Sequence, residues 1–176
     1  MAFPTLAQLN WVCDDNLLGQ RPLMGIDTVQ LQPYGRRVRG YDFGSLHYGE
    51  GIFIYMQGVA SNAQGALATI NEVTGVVVLT VAASRGPIGV SLSTATATQW
   101  GWYQIAGSAV VSAATATINQ GLIVTATAGQ AAVVAAGLTQ IYGATSLTAL
   151  NTPSTGFVQA GINYPAVLGY TSSAVG

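Results

Sequence analysis

The sequence contains no lysine and few charged residues of any kind. Five arginines and six acidic residues make up 6% of the chain and give a formal net charge of −1 at pH 7. A typical soluble protein has about 25% charged residues. All of these charges precede Gly86, and the stretch from Gly86 to Gly176 carries none. Because interface cores are depleted of Lys, Glu and Asp, this scarcity favours a surface that contacts other protein. A polar but uncharged surface, rich in Ser, Thr, Asn and Gln, is the alternative interpretation.

Residues that carry enzyme chemistry are also scarce. Cys13 is the single cysteine, which excludes a disulfide within the chain and a cysteine metal cluster. His47 is the single histidine, and no set of residues around it has the spacing of metal ligands. The sequence has no Gly-x-Ser-x-Gly nucleophile motif and no glycine-rich phosphate loop. We therefore expect a protein that is not an enzyme, with no cofactor, no metal and no catalytic residue.

Long hydrophobic runs are missing too. Apolar runs such as Ala131 to Leu138 are far shorter than the about 18 residues of a membrane-spanning helix. The N-terminal residues lack the basic start and apolar stretch of a secretory signal. We expect no membrane partner.

One small basic cluster, formed by Arg36, Arg37 and Arg39, is the sole candidate for binding phosphate. Three arginines in a slightly acidic chain are a weak signal for nucleic acid. The cluster therefore favours docking on an acidic patch of a partner protein, or solvation of a loop, and we expect no nucleic-acid partner.

The chain divides into two parts by composition. Residues 1–48 contain most of the charges and three prolines, with little periodicity, and we expect an extended N-terminal arm. In residues 49–176, runs rich in Val, Ile, Thr, Tyr and Trp alternate with Gly, Asn and Pro, which predicts short strands about ten residues apart. Asn71 to Gly75 predicts a hairpin turn. The expected fold is all-β: a small barrel or sandwich of short antiparallel strands with the arm attached.

The predicted strands cover most of the second part. They are Ile52–Gln57, Ala66–Ile70, Val76–Val81, Ile88–Leu92, Trp100–Ala106, Ala109–Ser112, Leu122–Thr127, Ala131–Ala135, Gln140–Ala144 and Gly156–Ile162.

The densest aromatic group lies on one of these strands. Trp100 and Trp102 share one face of the strand, and Tyr103 points to the other. Such a group could bind a sugar or a peptide, but a role in a core and an interface is commoner. Together with the three arginines, these aromatic residues are the candidate partner-docking residues.

Several blocks of the sequence, in this order, resemble the capsid decoration (cement) proteins of tailed bacteriophages. The blocks are Tyr48–Tyr55, Gly58–Ser61, Gly86–Val90, Gln99–Gly107 and Asn151–Gly156. None of them is a catalytic motif. The chain differs from the family's pattern in its sparse charge and in the predicted N-terminal arm.

This resemblance implies a β-barrel or sandwich that self-associates, with a trimer favoured. It also implies a virion protein, made in the host cytoplasm, that binds the major capsid protein on the outside of the shell and stabilises the shell against internal DNA pressure. The open alternatives are a minor head or tail component, a host-surface carbohydrate-binding module that uses Trp100, Trp102 and Tyr103, and an enzyme.

Overall fold

A computed structural model describes residues 10–13, 22–44, 48–133, 139–149 and 156–171, with side chains of the last segment described as far as Leu168. Their regular structure consists of eleven strands. The strands are β1 (Trp11–Cys13), β2 (Arg37–Asp42), β3 (Glu50–Gln57), β4 (Leu67–Asn71), β5 (Val76–Leu79), β6 (Gly86–Ser91), β7 (Trp100–Ser112), β8 (Gly121–Val124), β9 (Ala131–Val133), β10 (Thr139–Ser146) and β11 (Phe157–Thr171). The predicted all-β class is confirmed, and β3 to β11 lie where strands were predicted.

Two strands differ in length from the prediction. Trp100–Ala106 and Ala109–Ser112 form the single strand β7, because Gly107 bends the strand without ending it. Gly107 has a φ of 102°, and a Cβ at this position would lie 2.4 Å from the carbonyl oxygen of Glu50. Both constraints favour glycine. Strand β11 also runs well beyond the predicted Gly156–Ile162.

Five strands close into a small barrel. Strands β3, β5, β4, β6 and β7 pair in that order, and β7 pairs back with β3. The β3–β5 contact is one parallel pair, Gln57 with Val76, whereas the other pairs in this ring are antiparallel. The barrel core contains Ile54, Met56, Ala68, Ile70, Val77, Tyr103 and Ile105. The predicted turn between β4 and β5 is confirmed, since Asn71 Oδ1 accepts the backbone N–H groups of Val73 and Thr74.

The second half of β7 belongs to another, partly closed ring. Strand β11 pairs with β7, and the order continues through β10 and β8 to β9. A single parallel pair, Ala113 with Ala131, brings β9 back to the end of β7. The largest core cluster packs here, including Val111, Leu122 and Val158. The sheet thus forms two adjoining rings that share β7.

The described part of residues 1–48 does not form the predicted extended arm. Strand β2 pairs with β3 over five residue pairs, and β1 pairs with β2. Trp11, Leu23 and Val38 are buried in one cluster with Phe53, whose ring lies 5.0 Å from that of Trp11. Detaching this segment would expose Leu23 and Val38, at a cost of about 1.5–3 kcal/mol each. These apolar side chains therefore hold the segment in the folded body; residues 1–9, 14–21 and 45–47 lie outside the described part.

One end of the barrel is closed by buried polar groups. Asn62 Nδ2 donates to Ser91 Oγ at 2.8 Å and lies 3.3 Å from Tyr103 Oη. Burial raises the pKa of the Tyr103 phenol above its ordinary value, more than the hydrogen bond with Ser91 lowers it. Deprotonation of this phenol would leave an anion in the barrel core, so the folded protein favours the neutral form of Tyr103.

We expect limited trypsin digestion to cut first after Arg85. Arg85 is exposed in the loop between β5 and β6, whereas Arg37 and Arg39 lie within the paired strand β2. Proteases act on exposed, unpaired chain. A gel with mass spectrometry should show two fragments of similar size, and an Arg85→Gln variant should resist over the same time. First cleavage at Arg36 to Arg39 would mean that β2 leaves β3 in solution.

We expect the free energy of unfolding to fall as pH rises from about 10 to about 12. Burial, with a contribution from nearby Asp42, raises the pKa of Tyr48 to about 12 from the ordinary 10.0. Between these values the unfolded chain has lost the proton and the folded chain keeps it, so stability decreases with pH. Urea unfolding across this range measures the effect.

Two tyrosine variants separate the causes. The Tyr48 hydroxyl is buried without a hydrogen-bond partner among the described residues, so Tyr48→Phe should leave the stability at pH 7 unchanged or higher and weaken the alkaline fall. Tyr103→Phe, which loses the contact with Asn62, should cost about 0.5–1.5 kcal/mol. A larger loss in Tyr48→Phe than in Tyr103→Phe would contradict this assignment.

Candidate functional site

The end of the barrel opposite the Asn62 network is open. There, β2 replaces β5 as the neighbour of β3, because β3 pairs with β2 over Glu50–Ile54 and with β5 only at Gln57. The core residues at this end reach the surface in a cavity of about 40 Å³, room for roughly three water molecules. This cavity, the barrel mouth, is lined by Arg37, Ile54, Ile70, Glu72, Pro87, Ile88, Ile105, Tyr164 and Pro165.

The first side of the mouth is the arginine flank, formed by Arg37, Arg39 and Ile52. Residues 37 and 39 alternate with Val38 along β2, so their side chains share one face while Val38 packs in the core. Arg37 Nη2 lies 2.8 Å from Glu72 Oε1, and Arg39 Nη1 lies 3.4 Å from Glu50 Oε1. All four side chains are about half exposed or more, so each ion pair contributes about 0–1 kcal/mol. The flank therefore offers two guanidinium groups whose positive charges are balanced by the neighbouring Glu72 and Glu50.

The second side of the mouth is the open face, formed by Pro87, Tyr142, Tyr164, Ala166 and Leu168. Ala166 pairs with Pro87 of β6 on one side and with Tyr142 of β10 on the other, which puts the three residues in one row. Tyr164 and Leu168 flank Ala166 along β11. Tyr142, Tyr164 and Leu168 are 39%, 53% and 55% exposed, so this face is apolar and open to solvent.

The open face continues the inner face of the barrel. Along β6, residues 87, 89 and 91 share one side. A Cβ added at Gly89 would meet Tyr103 and Ile70 inside the barrel, and Ser91 Oγ accepts a hydrogen bond from Asn62 there. Pro87, beyond the mouth, therefore points to the same side as the core. The apolar interior extends outward onto an uncovered sheet at this point.

Tyr164 is held in a strained backbone conformation at the edge of the mouth. Its φ is 46°, in the left-handed region that bulky residues rarely adopt. The strand is irregular here, with a shift in the β10–β11 register opposite this position, between Tyr142 and Ala144. A non-glycine residue in this region costs of order 1–3 kcal/mol, and such strain concentrates at functional sites.

The structure separates the six predicted docking residues. Arg37 and Arg39 are exposed beside the mouth, whereas Arg36 is half-buried and its Nη1 donates to Gln32 Oε1 at 2.9 Å. Trp102 and Tyr103 are buried on opposite faces of β7, as predicted for the strand, and belong to two different core clusters. The core covers these two side chains in the single chain, and their docking role stays a prediction.

Trp100 is part of an aromatic stack. The Tyr55 ring lies 5.7 Å from that of Trp100 and 5.0 Å from that of Trp102. Asp27 pairs with the backbone of Trp100, and its carboxylate accepts the Tyr55 hydroxyl at 2.7 Å. Asp27 thus ties its segment to the backbone of Trp100 and to the Tyr55 hydroxyl, and the Trp100 side chain is half-buried.

Sequence patterns missed the open face. The alternation in residues 163–168 is ambiguous, since apolar side chains occur on both sides of β11: Pro165 and Val167 are buried, and Tyr164 and Leu168 are exposed. Apolar residues on both faces of a strand indicate either two buried faces or one face left for a partner. That signal was present, but the strand was predicted to end at Ile162.

In the described segments, no three His, Cys, Asp or Glu residues are grouped so that they could hold a metal ion. Within the same segments, no helix is long and apolar enough to cross a membrane. His47 lies outside the described residues.

Comparisons of the chain with protein-family models, with curated proteins and with solved structures found no match.

We expect Tyr164→Asn to raise the free energy of unfolding by up to about 1 kcal/mol, because Asn adopts the left-handed region far more readily than Tyr. Tyr142→Asn makes the same side-chain change on the same face, at a residue whose φ is not positive, and should lower stability. Urea unfolding at low protein concentration measures both. Equal losses in the two variants would contradict the strain at Tyr164.

Proposed function

We propose that this chain is a structural protein of a tailed-phage virion, a capsid decoration protein that binds the outside of the major capsid shell. The observation that carries the proposal is the barrel mouth with its two flanks. The apolar core reaches the surface there, and the charges beside it are neutralised within the chain. Such a surface suits contact with protein, because charged residues are depleted and tyrosine is enriched in interface cores.

The arginine flank is the part that we propose to dock on the shell. Arg39 is the most exposed charged side chain of the two ion pairs, at 69%, and Ile52 beside it is half-buried. Arginine suits such a contact because its planar fork donates several hydrogen bonds in a fixed geometry. A docked partner would bury the ion pairs. The attraction between the paired charges would then be stronger than it is when the pairs face water.

The proposed role is mechanical and non-catalytic. Packaged DNA pushes the shell outward, and a protein that spans neighbouring shell subunits resists their separation. A specific contact of this kind typically buries about 1,200–2,000 Å². The body is suited to transmit load, because the strand β7 joins its two rings through backbone pairing with β3 along its first half and with β11 along its second half. Many such contacts on one particle reinforce each other through high effective concentration.

The positions in the fold of the sequence blocks that resemble decoration proteins also support this proposal. Tyr48–Tyr55 covers most of β3, Gly86–Val90 covers most of β6, and Gln99–Gly107 covers the first half of β7. These three strands surround the barrel core. The resemblance is therefore concentrated on the barrel, which contains the mouth.

A reconstruction by electron microscopy of the particle that carries this chain tests the proposal. We expect density for the two-ring body on the outer surface, with the arginine flank towards the shell. In co-sedimentation with shells, binding should change little with salt, because Glu72 and Glu50 balance the two guanidinium charges and leave little net charge to be screened. Absence from particles, or a position inside the shell or in the tail, would contradict the proposal.

Matched variants test the docking surface. Replacing Arg37 and Arg39 together by Gln leaves Glu72 and Glu50 unpaired in the contact and should weaken shell binding at least about thirtyfold, since truncating one side of a buried charge pair costs about 2–5 kcal/mol. Arg85→Gln removes an exposed arginine elsewhere and should bind as the unchanged protein does. Equal binding by all variants would show that the flank does not dock.

A further inference from the structure

The closed end of the barrel contains two buried polar atoms that have no hydrogen-bond partner within the described part of the protein. They are Asn62 Oδ1 and Ser93 Oγ, on residues that are 8% and 6% exposed. The two residues are in contact, because Asn62 Nδ2 donates to the carbonyl oxygen of Ser93 at 3.1 Å. Buried polar side chains nearly always have a partner, either in the protein or in an ordered water molecule. The two atoms therefore mark a place for a small polar ligand.

The Asn62 amide cannot rotate to find a partner for its oxygen. The amide nitrogen has two N–H groups and lies within 3.3 Å of four oxygen atoms: Ser91 Oγ, Tyr103 Oη and the carbonyl oxygens of Ser93 and Ala95. Rotation by half a turn would place Oδ1 against the two carbonyl oxygens, which cannot donate a hydrogen bond. The surrounding acceptors thus fix the amide in one orientation, with Oδ1 in need of a donor.

Gly101 leaves space beside the Ser93 hydroxyl. A Cβ at position 101 would lie 2.9 Å from Ser93 Oγ and 3.2 Å from the Cβ of Ala95. Gly101 shares a face of β7 with Tyr103, which packs in the barrel core, so the missing side chain opens the interior. The φ of Gly101 is not positive, so the backbone does not require glycine there. Glycine within a strand often marks the close approach of another group.

We propose that one water molecule binds at the closed end, donating to Asn62 Oδ1 and accepting a hydrogen bond from the Ser93 hydroxyl. Buried water typically bonds to two to four polar groups that otherwise lack partners. A cation could not accept the Ser93 proton, and an anion could not donate to Asn62. Either ion would also bury a charge, and this network of polar groups contains no charged side chain to compensate it. A neutral donor and acceptor of the size of water meets both needs.

The bound water joins two loops at the closed end. Asn62 lies between β3 and β4, and Ser93 lies between β6 and β7. The same two loops already meet where the backbone N–H of Gly58 donates to the carbonyl oxygen of Gln99 at 2.9 Å. The water adds hydrogen bonds inside the barrel, so this end stays closed while the opposite end forms the mouth. This inference does not depend on the proposed capsid function.

A high-resolution crystal structure of the purified protein tests the site directly. We expect an ordered water molecule at about 2.5–3.0 Å from both Asn62 Oδ1 and Ser93 Oγ. No density at this place, an ion instead of water, or a protein group that donates to Asn62 Oδ1 would overturn the proposal.

Matched variants test the same site in solution by magnetisation transfer from long-lived water to the Asn62 side-chain amide protons. Gly101→Ala should abolish the transfer, because its Cβ takes the space beside Ser93. Gly161→Ala, whose Cβ would meet no atom closer than 3.6 Å, should leave the transfer unchanged. Ser93→Ala keeps the space but removes one hydrogen bond, and should shorten the residence time of the water about two- to tenfold.

Two results would contradict the water site. One is the lack of any transfer in the unchanged protein. The other is transfer of equal strength in the unchanged protein and in Ser93→Ala, a comparison that also decides the question if Gly101→Ala does not fold.

Discussion

Both faces of strand β7 are buried, and all three hydrophobic clusters of the described protein pack against it. Trp102 and Val110 belong to one cluster, Tyr103 and Ile105 to the barrel core, and Val111 to the core of the second ring. One strand can serve three cores because Gly107 bends it between its two halves. Strand β3 pairs with the first half of β7 and β11 with the second half, so β7 links the two rings.

The barrel mouth is a consequence of the same arrangement. Strand β3 can pair along each edge with only one strand at a time, and the edge away from β7 is shared between β2 and β5. Where β2 takes the place of β5, the ring of the barrel is no longer continuous and its apolar interior reaches solvent. The ion pair of Arg37 and Glu72 links β2 to the β4–β5 turn at this gap. The mouth thus lies where the neighbour of β3 along this edge changes from β5 to β2.

The scarcity of charge and the exposed apolar face belong to one physical account. An uncharged surface gives little electrostatic repulsion between molecules. Low net charge therefore favours association with other protein over the free monomer. The aromatic residues of the first half serve the core instead. Tyr55 packs against Trp100 and Trp102 and donates its hydroxyl to Asp27, and these contacts join the N-terminal part to the barrel. Shell docking is a proposal for the arginine flank, which lies beside this mouth.

Much of the strand pattern could be predicted from the sequence. Alternating β-branched and aromatic runs broken by Gly and Asn located β3 to β10, because side-chain period and turn preference are local properties. The opposite orientation of Trp102 and Tyr103 followed from the same period. Length was less predictable: a bend at Gly107 and a turn have the same local signature, and only the approach of the Glu50 carbonyl distinguishes them.

Tertiary structure alone decided which strands meet and which faces stay open. Residues 22–44 have no strong periodicity, yet they are held in the body by long-range burial of Leu23 and Val38 beside Phe53. Exposure of Trp102 or Tyr164 likewise depends on strands distant in sequence, since each alternates with its neighbours in the same way. The sequence by itself determined an all-β, charge-poor chain, because composition and period are local. The mouth, its neutral flanks and the strained Tyr164 arise from pairing between distant segments, and that pairing is set by burial across the whole fold.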